Sequence, residues 1–399
     1  MRIAFVTDTY TDPRKPNSWS GLPHFMRLAL ERNGVEVETI VLSDPNPVTG
    51  MIRYAYWRFL RGRRYLRLCE PRLLQFYAAE TRRRLQDLEV DAVFSPSSAP
   101  IAYLKTDVPV VFWTDACFAG MLNFYESFSN LAPRSVVAGH SAEYSALKLC
   151  SRAIYSSAWG ATTAQESYAA DASKFRVIPF GGNVKDKPAL ADVEAIVAQR
   201  DTASCNLLLI GVDWQRKGAD IAVEAARSLN ERGLPCRLTI IGCTPPKGTG
   251  LPPYVEVFPF INKATEAGSR QFNEICRRSH FMIMPTRADC TPVAIIEANY
   301  FALPCLSTAI GGIPSIVSDE VNGHLFDLRA RGLAYADYVL GLMRDPARYR
   351  TLAVGSAGFA DRNFTWEVSG AKLTAILREV VAAHQTRRGS APIAMASGI

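Results

Sequence analysis

The sequence predicts an α/β protein built from two doubly wound, Rossmann-like parallel sheets. Three observations carry this. Short apolar runs rich in β-branched and aromatic residues alternate with longer helix-compatible stretches. The alternation runs through the chain twice. With 399 residues, the chain is too long for one ordinary core and comfortable for two.

In the first half the strand-like runs are RIAFV (2–6), VETIVL (37–42), DAVFS (91–95), VPVVFWT (108–114), RAIYSS (152–157) and FRVIPF (175–180). In the second they are NLLLIG (206–211), CRLTIIG (236–242), VEVFPF (255–260), HFMIMPT (280–286) and LPCLST (303–308). Near-continuous apolar strands separated by helices imply parallel sheets covered on both faces. Between the first two strands, PHFMRLALERNG (23–34) repeats apolar residues at steps of three and four, and Gly34 is a helix stop. The polar stretch between Gly182 and Thr202 marks the domain boundary. The expected organisation is a first domain over 1–185, a second over 186–365, a C-terminal helix over 366–385 and a flexible tail over 386–399. Ligands of open parallel sheets sit outside the carboxyl ends of the strands. The loops after each strand, facing a cleft between the domains, are therefore expected to carry the chemistry.

Composition narrows the class. Hydrophobic residues make up 48% and charged residues 21%, which suits a soluble globular protein. No run of 18 apolar residues reads as a membrane span. The opening MRIAFVTDTY reads as a strand rather than a secretory leader, so the cytoplasm is the expected location. Nine cysteines are scattered with no CxxC, and five histidines show no ligand spacing. Reduced thiols and no structural metal are expected. A net charge of +7 favours an anionic partner.

The most informative stretch is PTRADCTPVAIIEANYFALPCLSTAIGGIPSIV (285–317). A strand ends in a loop, and Thr291 and Pro292 have the residue types of an N-cap and a first helical position. A free helix N-terminus there is an anion site. Asp289 stands before that terminus and Glu297 within the helix. Two such carboxylates can grip sugar and ribose hydroxyls; the plainer alternative is a pair of solvated acids.

An acid, seven residues, a Glu, then ALP and GG-x-P resembles the signature of glycosyltransferase family 4, whose members are retaining enzymes of the GT-B fold. NLLLIGVDWQRKGADIAVEAA (206–226), VNGHLFD (321–327), FTWE (364–367) and SWSGLPHFMRLALERNGVEV (18–37) resemble further family motifs in the right order. The resemblance implies that Glu297 holds the ribose and Asp289 the donor hexose, with Asp289 shorter than the family's Glu. It implies that Cys290, Thr291, Val293 and Ala294 lie along backbone that meets the distal phosphate or the sugar; Pro292 has no N–H to offer. Lys217 matches the lysine that neutralises the pyrophosphate. The family's usual arginine is replaced by Val212, with Arg216 the nearest cation. Asp115 stands where many members have a His, and is assigned to orienting the hexose or the acceptor hydroxyl. Gly21 matches the N-terminal glycine loop, and Ile261 the backbone contact to the base. His24 reads as a helix-surface residue. No metal and no cofactor are implied, the sugar nucleotide being a substrate; UDP is favoured among the bases.

RYAYWRFLRGRRYLRLCEPRLLQFYAAETRRRLQDL (53–88) interleaves arginines with aromatics. Its readings are a peripheral contact with the inner membrane face or a lipid-linked acceptor, a pocket for an acidic acceptor, or a solvated helix whose Arg stems cover apolar neighbours. No nucleic-acid motif accompanies it. The leading function is therefore a retaining, metal-independent hexosyltransferase. An epimerase of the same fold and a non-catalytic sugar-nucleotide binder are the alternatives.

Overall fold

A computed structural model describes residues 1–15 and 18–389. Most of the tail expected over 386–399 thus lies outside the described residues. Contacts divide the chain into two compact units. The first holds Met1–Tyr155, Ala161–Ile178 and the chain from Gly370; the second holds Ser156–Gly160 and Pro179–Ser369.

The first unit contains β1 (Arg2–Asp8), α1 (Leu22–Arg32), β2 (Glu36–Leu42), α2 (Pro47–Ala55), α3 (Pro71–Leu85), β3 (Ala92–Ser95), β4 (Val110–Thr114), α4 (Phe118–Met121), α5 (Pro133–Leu149), β5 (Arg152–Tyr155), most of α6 (Ala158–Tyr168) and β6 (Phe175–Val177). Its six strands are all parallel, in the order β2-β1-β3-β4-β5-β6. Every residue of β3 and β4 is buried, as a strand covered on both faces requires.

The second unit contains α7 (Val193–Ala198), β7 (Cys205–Ile210), α8 (Ala219–Glu231), β8 (Cys236–Ile241), β9 (Val255–Phe258), α9 (Glu266–Arg278), β10 (Phe281–Met284), α10 (Val293–Tyr300), β11 (Cys305–Thr308), β12 (Gly323–Phe326), α11 (Gly332–Met343) and α12 (Pro346–Asn363). Its sheet is also parallel throughout, in the order β12-β11-β10-β7-β8-β9. Counted from β9 this is third, second, first, fourth, fifth, sixth, the order of dinucleotide-binding sheets. The final helix, α13 (Trp366–Gly389), begins in the second unit and continues in the first; it runs to Gly389 rather than ending near 385.

All eleven strand-like runs form strands. The twelfth, β12, lies within VNGHLFD, a segment outside the strand-like runs of the sequence. All nine cysteines are free thiols, and eight are buried. Burial pushes the Cys69, Cys117 and Cys150 thiols up to about 12, which leaves them inert as nucleophiles.

His280, just before β10, is 1% exposed. Its Nδ1 accepts from the Asn206 amide at 3.0 Å and its Nε2 meets the Asp201 carbonyl at 2.8 Å. Burial holds its pKa down at about 4, below the ordinary 6.5. A folded pKa below the unfolded one gives stability that is complete above 6.5 and is lost as pH falls towards 4. The loss is on the order of 3 kcal/mol. Thermal melts of the wild type and His280→Gln across that window check this: the stability of the variant relative to the wild type is expected to rise as pH falls, and parallel curves would refute the assignment.

Candidate active site

In the second unit the strand order reverses between β7 and β10, so the crevice beyond their carboxyl ends is the expected ligand position. Two loops meet there. After β7, the Asp213 carboxylate accepts the Arg216 amide at 2.9 Å and the Asp213 carbonyl accepts the Lys217 amide at 2.9 Å, which coils the loop into one turn. Gly218 ends it at φ 72°, where an added Cβ would lie 2.0 Å from the Pro285 carbonyl oxygen. Only glycine fits, and the Lys217 side chain is thereby aimed at the loop after β10. That second loop is tied to the first. The Arg287 amide and the Thr286 hydroxyl both donate to the Arg216 carbonyl, at 2.7 and 2.9 Å. The Arg287 guanidinium is bidentate to Asp220.

At the junction Lys217 Nζ lies 2.5 Å from Asp289 Oδ2 and 3.7 Å from Met284 Sδ. Arg216 Nη1 donates to the Ala288 carbonyl at 3.0 Å and reaches Asp289 Oδ2 at 3.3 Å, while its Nε stands 3.9 Å from the more exposed Asp213. Lys217 and Asp289 are 7% and 6% exposed. The structure thus brings Arg216, Lys217 and Asp289 into one cluster, with Lys217 and Asp289 buried and Arg216 half-buried at its edge. Val212, in contrast, points outward and is 80% exposed.

Helix α10 buries seven of its eight residues, including Val293 and Glu297. Thr291 is not its N-cap and Pro292 is not its first helical residue. Pro292 has an extended ψ of 106° and itself occupies the cap position, so the helix starts at Val293. The Thr291 hydroxyl lies 2.6 Å from Ser156 Oγ instead. Gly312, in the GG-x-P segment, packs against this loop: an added Cβ would sit 1.7 Å from the Cys290 carbonyl oxygen, and its amide donates to the Asp289 carbonyl at 3.3 Å.

Glu297 is 3% exposed, and both its oxygens lie 2.7 Å from Lys263 Nζ. Its Oε1 also accepts the Asn183 amide at 3.1 Å. Asn183 is held by the Trp366 indole N–H at 2.9 Å. The FTWE segment therefore fixes Glu297 from behind. Lys263 also lies 5.0 Å from the centre of the Phe272 ring.

Residues 204–345 match the family model "Glycosyl transferases group 1". A D-inositol 3-phosphate glycosyltransferase of Xylanimonas cellulosilytica is 27% identical over 225 residues, 52% of this chain and 51% of its own length. Over residues 204–345 the chain is thus similar to the group 1 glycosyl transferases, in keeping with its family 4 resemblance. The corresponding protein of Salinispora tropica is 28% identical over 185 residues, 43% of this chain and 37% of its own. The chain thus spans about half or less of the length of these curated relatives. Among solved structures, sucrose-phosphate synthase from Thermosynechococcus elongatus aligns over 96% of this chain and 100% of that one, with a TM-score of 0.68 at 16% identity. Anabaena HepE in complex with UDP aligns over 95% and 100%, with a TM-score of 0.66 at 14% identity. The fold is GT-B.

The remaining positions singled out by the resemblance fall as follows. Ile261 is buried in the core beside β9. Asp115 and Gly21 belong to the first unit. Asp115 is half-buried directly after β4. Gly21 is left-handed at φ 85° and caps α1. His24 Nδ1 lies 3.0 Å from the Pro13 carbonyl, so this side chain tethers the loop after β1.

Three residues escaped the sequence reading. Lys263 lies two positions past Ile261, within reach of a motif-based search. Asp8, buried at the end of β1, accepts from the Tyr10 and Thr11 amides, and burial pushes its pKa up. Glu143 of α5 carries no sequence signal. It is fully buried and accepts from Ser98 Oγ at 2.8 Å, the Phe118 amide at 3.2 Å and the Tyr155 hydroxyl at 3.3 Å. It therefore joins the carboxyl-end loops of β3 and β4 to the end of β5. Burial pushes it up to about 7.

Proposed function

We propose that the protein transfers a hexose from a nucleoside diphosphate sugar to a hydroxyl acceptor, with retention of configuration and without a metal ion. The observation that carries this reading is Lys217, buried against Asp289 at the switch point of the second sheet. An ammonium has three donors, and here one meets a carboxylate and another only a weak sulfur acceptor. Donor capacity thus remains for an incoming diphosphate, whose departure a fixed cation in a sheltered site favours. The family match over 204–345 falls on this same segment.

Glu297 is assigned to the ribose, and Asp289 to the hexose together with Lys217 and Arg216. Both carboxylates already hold protein cations, so sugar hydroxyls share or displace those partners on binding. UDP is the preferred nucleotide, a choice supported by the neighbours crystallised with UDP and UDP-glucose. The acceptor is assigned as anionic, consistent with the net charge of +7 and with relatives named for D-inositol 3-phosphate.

Thermal stabilisation by UDP, GDP, ADP and dTDP, then by the matching sugar nucleotides, tests the reading, since a ligand of the native state raises apparent stability by mass action. A selective shift with one diphosphate, followed by its release from the sugar nucleotide when acceptor is added, is expected. No shift with any of them would overturn the donor assignment. A shift with no release, over a panel of inositol phosphates and free glycans, would favour a binder.

A further inference from the structure

Helix α2 and the wide turn Tyr56–Leu60 that continues it are built inside out. The only buried residue along Pro47–Leu60 is Gly50. Val48, Met51, Ile52 and Phe59 recur at helical spacing along one stripe, the pattern that usually faces a core. Here they are 61%, 70%, 64% and 78% exposed, and the adjoining Leu60 is 74% exposed.

The arm is anchored through its opposite face. Asn46 caps the helix by accepting the Thr49 amide at 3.2 Å. Arg53 pairs with Glu70, and Arg67, which packs beneath Gly50, is bidentate to Asp44 at 2.8 Å. At the far end the Arg64 amide donates to the Asn130 carbonyl at 2.9 Å, and the Asn130 side chain donates to the Gly62 carbonyl at 2.8 Å. A stripe held outward at both ends is a presented surface rather than a frayed one.

Charge and side-chain type state what it fits. No acid occurs from Pro45 to Cys69. Arg58, Arg61 and Arg63 stand exposed beside Phe59 and Leu60. Tyr54 and Tyr56, partly exposed amphipathic rings, flank the stripe, and Arg61 lies over the Tyr56 ring at 5.7 Å. Apolar residues on one side, aromatics at their margin and cations around them match the layering of an anionic bilayer surface. Among the described residues no helix is long and apolar enough to cross a membrane.

We propose that the segment Pro47–Arg63 docks the first unit on an anionic lipid surface, with Met51, Ile52, Phe59 and Leu60 entering the acyl boundary and Arg58, Arg61 and Arg63 meeting lipid phosphates. The inference is independent of the donor reading, because docking is measured without sugar nucleotide. The full chain is sedimented with vesicles of phosphatidylcholine alone and of phosphatidylcholine with phosphatidylglycerol, at low and at physiological salt. Partition into the anionic vesicles only, weakened by salt, is expected. Arg58→Ala/Arg61→Ala should weaken it by about 30-fold. Phe59→Ser/Leu60→Ser should abolish it while leaving the unfolding temperature unchanged. Absence of binding to either vesicle, equal binding to both, or binding unaltered in both variants would each overturn the proposal. So would concentration-dependent dimerisation lost in Phe59→Ser/Leu60→Ser without vesicle binding, which would assign the stripe to a second copy of the chain.

Discussion

Replacing Lys217 by alanine is expected to lower turnover by roughly 10²–10³-fold, the range seen when one preorganised group facing developing negative charge is removed. The structure adds a second effect. Lys217 is buried against Asp289 at 2.5 Å, so its loss leaves a carboxylate with less compensation. Breaking a buried pair costs about 3–5 kcal/mol where no other cation remains. Arg216, 3.3 Å from the same oxygen, holds the effect at or below the low end of that range. The two effects separate in the double variant Lys217→Ala/Asp289→Ala. Removing both partners should recover much of the stability, read from thermal melts, and none of the turnover, read from nucleotide release. Wild-type turnover in folded Lys217→Ala would remove this lysine from the chemistry.

The second large effect is expected at Glu297. If its oxygens hold the ribose, Glu297→Ala should weaken sugar-nucleotide binding by about 10–100-fold, as for the loss of charge-assisted hydrogen bonds. Titration calorimetry with the nucleotide selected by the thermal screen measures this directly. Stability should fall as well, by about 1–3 kcal/mol, because the buried Asn183 amide loses its acceptor. Glu297→Gln can still accept from Asn183 but cannot offer Lys263 two charged oxygens. It should therefore regain stability more than affinity. Unchanged nucleotide affinity in both variants would reassign Glu297 to a purely structural tie between Lys263 and the Trp366–Asn183 pair.

Strands were legible wherever burial on both faces forced a continuous apolar run, as in FMIM of β10 and AVFS of β3. Strand β12 was not, because GHLF begins with a glycine and a histidine and lies at the sheet edge, where half-burial suffices. The start of α10 was misplaced for a related reason. Thr291 and Pro292 have the residue types of a cap and a first turn. Yet the Thr291 hydroxyl is taken by Ser156, 135 positions earlier, and no local pattern encodes that partner. The loop after β7 could be located from its Lys-Gly pair. That Lys217 would be buried on Asp289 depends on two loops 72 residues apart meeting at a reversal of strand order. Glu143 was the least legible residue. In HSAEYSALK an acid on a helix reads as solvated, and only the packed structure shows two loops and the end of β5 closing over it.

Glu143 and His280 also make folding an exchange of protons with the solvent. Between about pH 4.5 and 7 the folded first unit holds a proton on Glu143 that the open chain gives up, so folding there takes a proton in. Between about pH 4 and 6.5 the folded second unit excludes from His280 a proton that the open chain binds, so folding there gives one out. Over the shared interval the two transfers offset each other in the whole chain. The net pH dependence from this pair is then small, even though acid favours the folded form of one site and disfavours that of the other. Over that interval two opposed buried sites, one in each unit, thus largely cancel each other's contribution to the pH dependence of folding.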